Sequence, residues 1–137
     1  MPLDQDQYEG LAAFRSVLRR FLAFSEAATG RAGIKPQQYQ ALLAIKAWPG
    51  QAMPIKDLAD QLQLRHNGAV QLADRLAKAG FSERRPSPSD GRSVRLHLTP
   101  RGEALLADLA GRHFQELLAC EPLLAESLGR LRRLADG

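Results

Sequence analysis

Apolar positions along this chain follow two rhythms, and the changes from one to the other locate most of its elements. From Tyr8 to about Ala28, the residues Leu11, Phe14, Val17, Leu18, Phe21, Phe24 and Ala28 recur at helical spacing, with Arg15, Arg19 and Glu26 elsewhere, which predicts an amphipathic helix. Ile34 to Ala47 predicts a second, with Tyr39, Leu42 and Leu43 facing inward. After Pro54 a short helix is marked by Ile55, Leu58, Ala59 and Leu62, and a turn is expected at Gln63 to His66. Ala69, Leu72, Ala73 and Leu76 then repeat the spacing up to Gly80, a natural helix C-terminal residue. There the period drops to two. Val94, Leu96 and Leu98 alternate with Ser93, Arg95 and His97, as in a strand with one buried and one wet face. Helical spacing returns after Thr99, a capping residue followed by Pro100, with Leu106, Leu109, His113, Leu117 and Cys120 along one face. Pro122 is expected to start a last helix, whose apolar face is Leu124, Leu128, Leu131 and Leu134.

The strand at 94–98 has its partner in Phe81 to Arg85. Between them lies Pro86-Ser87-Pro88-Ser89-Asp90-Gly91, where the prolines remove backbone donors and Asp-Gly supplies a turn, so the loop projects. Helix, tight turn, helix, hairpin is the order of a winged helix-turn-helix. Charge supports that reading. The net charge of +4 is unevenly spread: residues 65 to 101 carry eight basic and three acidic side chains, a local +5, and the remainder sums to −1. A basic excess confined to one helix and its hairpin is the footprint of a polyanion-binding surface. The competing interpretation, a solvated helix face and hairpin, does not account for that confinement.

With those residues in place, the chain resembles the MarR family of bacterial transcriptional regulators. The resemblance is carried by Ile55-Lys56-Asp57-Leu58-Ala59-Asp60-Gln61-Leu62, by Leu72-Ala73-Asp74-Arg75-Leu76-Ala77-Lys78-Ala79-Gly80-Phe81, and by Glu83 through Gly102, with Asp90-Gly91-Arg92 at the wing tip and Leu98-Thr99-Pro100-Arg101-Gly102 entering the next helix. It implies a mainly α fold with a small β-hairpin wing. DNA is then met by Arg65, His66, Asn67, Gly68, Gln71 and Arg75 on the second helix of the motif, and by Arg84, Arg85, Ser89, Asp90, Arg92 and Arg95 on the wing. Arg92 would enter the minor groove while Asp90 orients the wing arginines. Gly68 would act through close backbone approach. The family usually caps this helix with Ser or Thr; here Asn67 is the candidate cap, which would start the helix a residue or two late.

A winged helix-turn-helix at about 34–100 needs one covering helix, which leaves the apolar stripes at about 5–30 and 100–136 in surplus. Such stripes are expected to pack on their copies across a two-fold axis. The resemblance implies the same, a homodimer formed by terminal helices, for which Leu11, Phe14, Leu18, Leu117, Leu124, Leu128 and Leu131 are the candidates. One domain over 1–137 is expected. Two recognition helices would then lie roughly 34–36 Å apart on a palindromic operator. The resemblance further implies a repressor, released by a small aromatic effector held between dimer helices and DNA-binding lobe.

Other classes of function find little in the sequence. His66, His97 and His113 fall on three different elements and there is one cysteine, so no metal site is expected. No cofactor loop is present, and Asp57 with Asp60 has neither nucleophile nor general acid beside it. An enzyme is therefore not expected. Cys120 reads as a small buried hydrophobe rather than a redox sensor, because its charged neighbours Glu116 and Glu121 disfavour a thiolate. An acidic N-terminal segment, the single cysteine and the lack of a long apolar run lead to the expectation of a cytoplasmic protein with no membrane partner. The main alternative is a winged helix serving as a protein-interaction module, which would need no basic wing.

Overall fold

The computed structural model describes residues 2–87, 89 and 93–136; the expected wing-tip residues Asp90 and Arg92 lie outside them. Helices α1 (Gln5–Arg31), α2 (Pro36–Ala47), α3 (Ile55–Leu62), α4 (His66–Lys78) and α5 (Pro100–Asp136) alternate with strands β1 (Met53–Pro54), β2 (Ser82–Pro86) and β3 (Val94–Leu98). The chain forms two units, residues 29–110 and residues 1–28 with 111–137. The fold is mainly helical with a small antiparallel sheet.

In the winged unit the strand order is β1-β3-β2, with Met53 and Arg84 on either side of Leu96 and Pro54 and Arg85 on either side of Arg95. β1 was not expected, for two residues are too few to show a period. Its Met53 and the central Leu96 are buried on the inner face, against a core containing Leu42, Ile45, Leu58, Leu72 and Leu76. Val94, expected on that buried face, is exposed because it pairs with Pro86 at the loop end, beyond the core. Leu43, expected to face inward, is also exposed. At about 100° per residue it is turned away from the face of Tyr39, Leu42 and Ile45 that α2 buries. α4 ends at Lys78, and the chain leaves it as expected through Gly80, whose φ of +81° favours a residue without Cβ. Thr99 caps α5 by accepting a hydrogen bond from the Gly102 N–H (3.0 Å), and its hydroxyl donates to the Gly80 carbonyl (2.6 Å). A Cβ on Gly102 would overlap the Phe81 carbonyl, so hairpin and helix start meet backbone to backbone.

The terminal unit pairs the first part of α1 with the last part of α5. α1 starts earlier than its apolar stripe predicts, because Asp4 and Gln7 cap it reciprocally: the Gln7 N–H donates to Asp4 Oδ1 (2.8 Å) and the Asp4 N–H to Gln7 Oε1 (2.9 Å). Leu131 and Leu134 close over Gly10, where a Cβ would stand 3.0 and 3.1 Å from their methyl groups. His113 is buried, its Nε2 2.8 Å from Ser25 Oγ and its ring edge-on to Phe21 and Phe24. Pro122 does not start a helix; α5 runs through it unbroken. An internal proline lacks the N–H that would bond the Leu118 carbonyl and costs about 3 kcal/mol. The packing of His113 before it and of Leu131 and Leu134 after it holds both flanking stretches against α1, and that tertiary packing outweighs the local penalty.

Candidate nucleic-acid interface

The turn between α3 and α4 is short because Gln63 adopts a left-handed conformation (φ 55°, ψ 44°) and turns the Leu64 N–H back to the Ala59 carbonyl at 2.8 Å. Arg65 is extended and α4 begins at His66. Asn67 is therefore inside the first turn and does not cap it. Arg65 holds the cap position with no side-chain hydrogen bond, and its carbonyl closes the turn by accepting from Ala69 (3.1 Å). The helix thus starts earlier than an Asn67 cap would place it. Ala69, Leu72, Ala73 and Leu76 are buried, which turns Asn67, Gln71, Arg75 and Lys78 outward, with Arg65 and His66 exposed at the helix start. Gly68 has room for a Cβ, the nearest side chain being Leu64 at 3.7 Å, so nothing within the chain requires glycine there. Val70 is half-buried.

The hairpin sorts its charges by face. Leu96 lies on the inner face, so its neighbours Arg95 and His97 emerge on the outer one, opposite Arg85 and Glu83. Arg85 and Arg95 are thus cross-strand neighbours of like charge, an unfavourable pair in isolation; Arg85 pairs with Glu83 along its own strand. Arg95 is half-buried, and its Nε is buried without a hydrogen-bond partner. Burial and the adjacent Arg85 push the His97 pKa below 6.5, against an opposing pull from Glu83. Ser89 is exposed with its hydroxyl 3.2 Å from that of Ser87, whose N–H donates to the Ser93 carbonyl (2.8 Å) near the base of the loop. Arg84 behaves differently from Arg85 and Arg95. It ion-pairs with Asp74 on α4 (2.7 Å), and its Nη2 approaches the Val70 carbonyl (3.5 Å). Asp74 was not among the expected site residues; an acidic residue inside a basic stretch is the signal that marks it.

Among the candidates on the terminal helices, Leu11, Leu117 and Leu128 are exposed, while Phe14, Leu18, Leu124 and Leu131 are half-buried. The most exposed apolar side chains, Phe114 (64%), Leu22 (60%) and Leu118 (57%), were absent from that set, because they lie off the stripe that α1 and α5 show to each other. Cys120 is buried with its thiol directed at Glu116 Oε1 (3.6 Å); burial and that carboxylate raise its pKa, with Arg20 opposing. Among the described residues no three His, Cys, Asp or Glu side chains gather as a metal site, and no helix is long and apolar enough to cross a membrane.

A family model described as MarR family matches residues 32–93. The transcriptional repressor MprA of Escherichia coli is 30% identical over 77 residues, which cover 56% of this chain but only 44% of the repressor's length. Two solved structures from Streptomyces coelicolor share the fold at 20% identity. AbsC, a MarR family transcriptional regulator, has a TM-score of 0.80 over 97% of this chain and 91% of its own. Sco3205, another regulator of that family solved in complex with DNA, has a TM-score of 0.77 over 99% and 89%. The helix-turn-helix and the first strand of the hairpin lie within the matched segment, and the latch at Thr99 and Gly102 follows it, so it is the winged unit of this chain that is similar to the MarR family.

Proposed function

We propose that this protein is a homodimeric repressor that binds palindromic operator DNA. The observation that carries the reading is the clustering of basic and amide side chains on two surfaces of the winged unit: Asn67, Gln71, Arg75 and Lys78 with His66 on α4, and Arg85 with Arg95 on the outer face of the wing. Amide and guanidinium groups on a helix suit adenine and guanine edges in the major groove, and wing arginines suit phosphates and the minor groove. Arg92 is assigned to the groove contact and Asp90 to its orientation on the family resemblance. Ser89 would meet the backbone beside them. Gly68 fits close approach of the α4 backbone to DNA, since no contact inside the chain calls for glycine there.

Dimerisation is assigned to the exposed apolar side chains of α1 and α5, including Leu11, Leu117, Leu118 and Leu128. Release by a small aromatic effector is the regulation the family resemblance implies, and it would act by favouring the conformation that does not bind DNA. The relative's repressor description and the DNA complex of Sco3205 support the reading. It is tested by protection of DNA from the gene's own neighbourhood, with affinity followed against salt. A linear fall of log K with log salt, at roughly 0.9 per neutralised phosphate, is expected. Absence of any protected palindrome, or salt-independent affinity, would overturn the reading.

A further inference from the structure

Arg84 stands in the basic run that the sequence assigns to DNA, yet its guanidinium is engaged within the chain. β2 sends Ser82 and Arg84 to one face and Glu83 and Arg85 to the other. Ser82 is buried, and Arg84 lies opposite buried Leu96, so Arg84 leaves the hairpin from its core side, where the core runs out. There its Nη1 meets Asp74 Oδ1 at 2.7 Å and its Nη2 approaches the Val70 carbonyl at 3.5 Å. Val70 and Asp74 are four residues apart, one turn of α4. A single planar side chain from the wing therefore grips one turn of the helix beside it, a geometry that lysine could not reproduce.

We propose that the Asp74–Arg84 pair is a positioning device, fixing the wing against α4 so that both present to DNA in register, and that Arg84 acts through this pair rather than on a phosphate. The proposal rests on the DNA-binding reading above. Its second support is the place of Asp74. That carboxylate stands on the solvent side of α4 among Gln71, Arg75 and Lys78, where an unpaired negative charge would repel phosphates. Arg84 neutralises it, and the pair gives an acidic residue a use on a surface otherwise suited to a polyanion.

The two roles predict opposite signs. If electrostatics alone governed, Asp74→Asn would remove a repulsive charge and tighten DNA binding. If the pair positions the wing, Asp74→Asn weakens it. The experiment measures operator affinity of the full chain at several salt concentrations for wild type, Asp74→Asn, Asp74→Glu, Arg84→Lys and Arg84→Ala, with amide hydrogen exchange of β2 and β3 followed in the DNA-free protein. Expected are a loss of about three- to fivefold for Asp74→Asn and Arg84→Lys, the size of a partly exposed ion pair, partial recovery in Asp74→Glu, an unchanged salt slope throughout, and faster exchange in the wing of Asp74→Asn. Equal or tighter binding by Asp74→Asn overturns the proposal. So does a fall of about 0.9 in the salt slope for Arg84→Ala, which would make Arg84 a phosphate contact. A wild type that binds no DNA, combined with faster wing exchange in Asp74→Asn, would refute the DNA reading and leave the clamp standing. Normal DNA binding with unchanged exchange would refute the clamp alone.

Discussion

Leu42 on α2 and Leu118 on α5 are the same residue in the same secondary structure, and one is fully buried while the other is 57% exposed. The winged unit buries Leu42 because three helices and a sheet surround it, and closes on itself down to backbone contact at Gly102. The terminal unit has two helical stretches, which can cover one stripe of each other and no more. What remains, including Leu22, Phe114, Leu118 and Leu128, faces out. Helical periodicity reports that a face is apolar, and the number of elements available to cover it decides whether it is core or contact surface.

That contrast can be broken most sharply by truncation. Leu42→Ala should cost about 2–5 kcal/mol in urea unfolding, whereas Leu118→Ala, measured at dilutions that separate the copies, should stay within about 0.5 kcal/mol of wild type. Equal losses would mean that the terminal unit is closed after all. Next in size is the effect on association. The double variant Leu118→Asp, Leu128→Asp touches side chains exposed in the single chain, so its helical content should be kept while the dissociation constant of the proposed dimer, read by sedimentation, rises on the order of a hundredfold, about 2.8 kcal/mol. An unchanged dimer would place the interface elsewhere.

Glycine gives a finer comparison. Gly102→Ala must displace the Phe81 backbone and should destabilise by about 1–3 kcal/mol. Gly111→Ala, in the terminal unit with nothing within 4 Å of the added Cβ, should stabilise by about 0.5–1 kcal/mol. Matching signs in thermal melts would contradict the difference in closure. The smallest effect belongs to His97. Its folded pKa lies below the ordinary 6.5, so the native state binds fewer protons than the unfolded chain. The stability it contributes is present above about pH 6.5 and is lost as pH falls through the folded value. His97→Gln should flatten that acid limb of the stability curve, and an identical limb in both proteins would assign it to another group.

The helix-turn-helix and hairpin were legible because their signals are local: a 3.6 period, a 2 period, Gly80 at a helix end and Thr99 at a helix start. The Asp4 to Gln7 box was equally local and would have placed the start of α1. β1 was not legible, since its pairing with β3 joins residues more than 40 positions apart. Nor was the passage of α5 through Pro122, because the local penalty is readable and the packing that offsets it is not. At the candidate site, charge located the surface but not the assignments. Arg84 and Arg85 are adjacent and chemically identical in sequence, and strand alternation sends one to Asp74 and the other to Glu83 on the outer face.

The Thr99 latch also bears on the order in which the chain acquires its structure. Its hydroxyl bonds to a carbonyl 19 residues back, and its N–H bonds to the Phe81 carbonyl (3.1 Å). Closing so short a loop costs little chain entropy, and contacts at such separation form quickly. The Gln7 side chain, in contrast, donates to the Leu134 carbonyl across 127 residues. The hairpin and the first turn of α5 are thus expected among the early folding events, and the pairing of the chain's two ends among the last. A nascent chain would carry a finished wing before the first part of α1 meets the last part of α5.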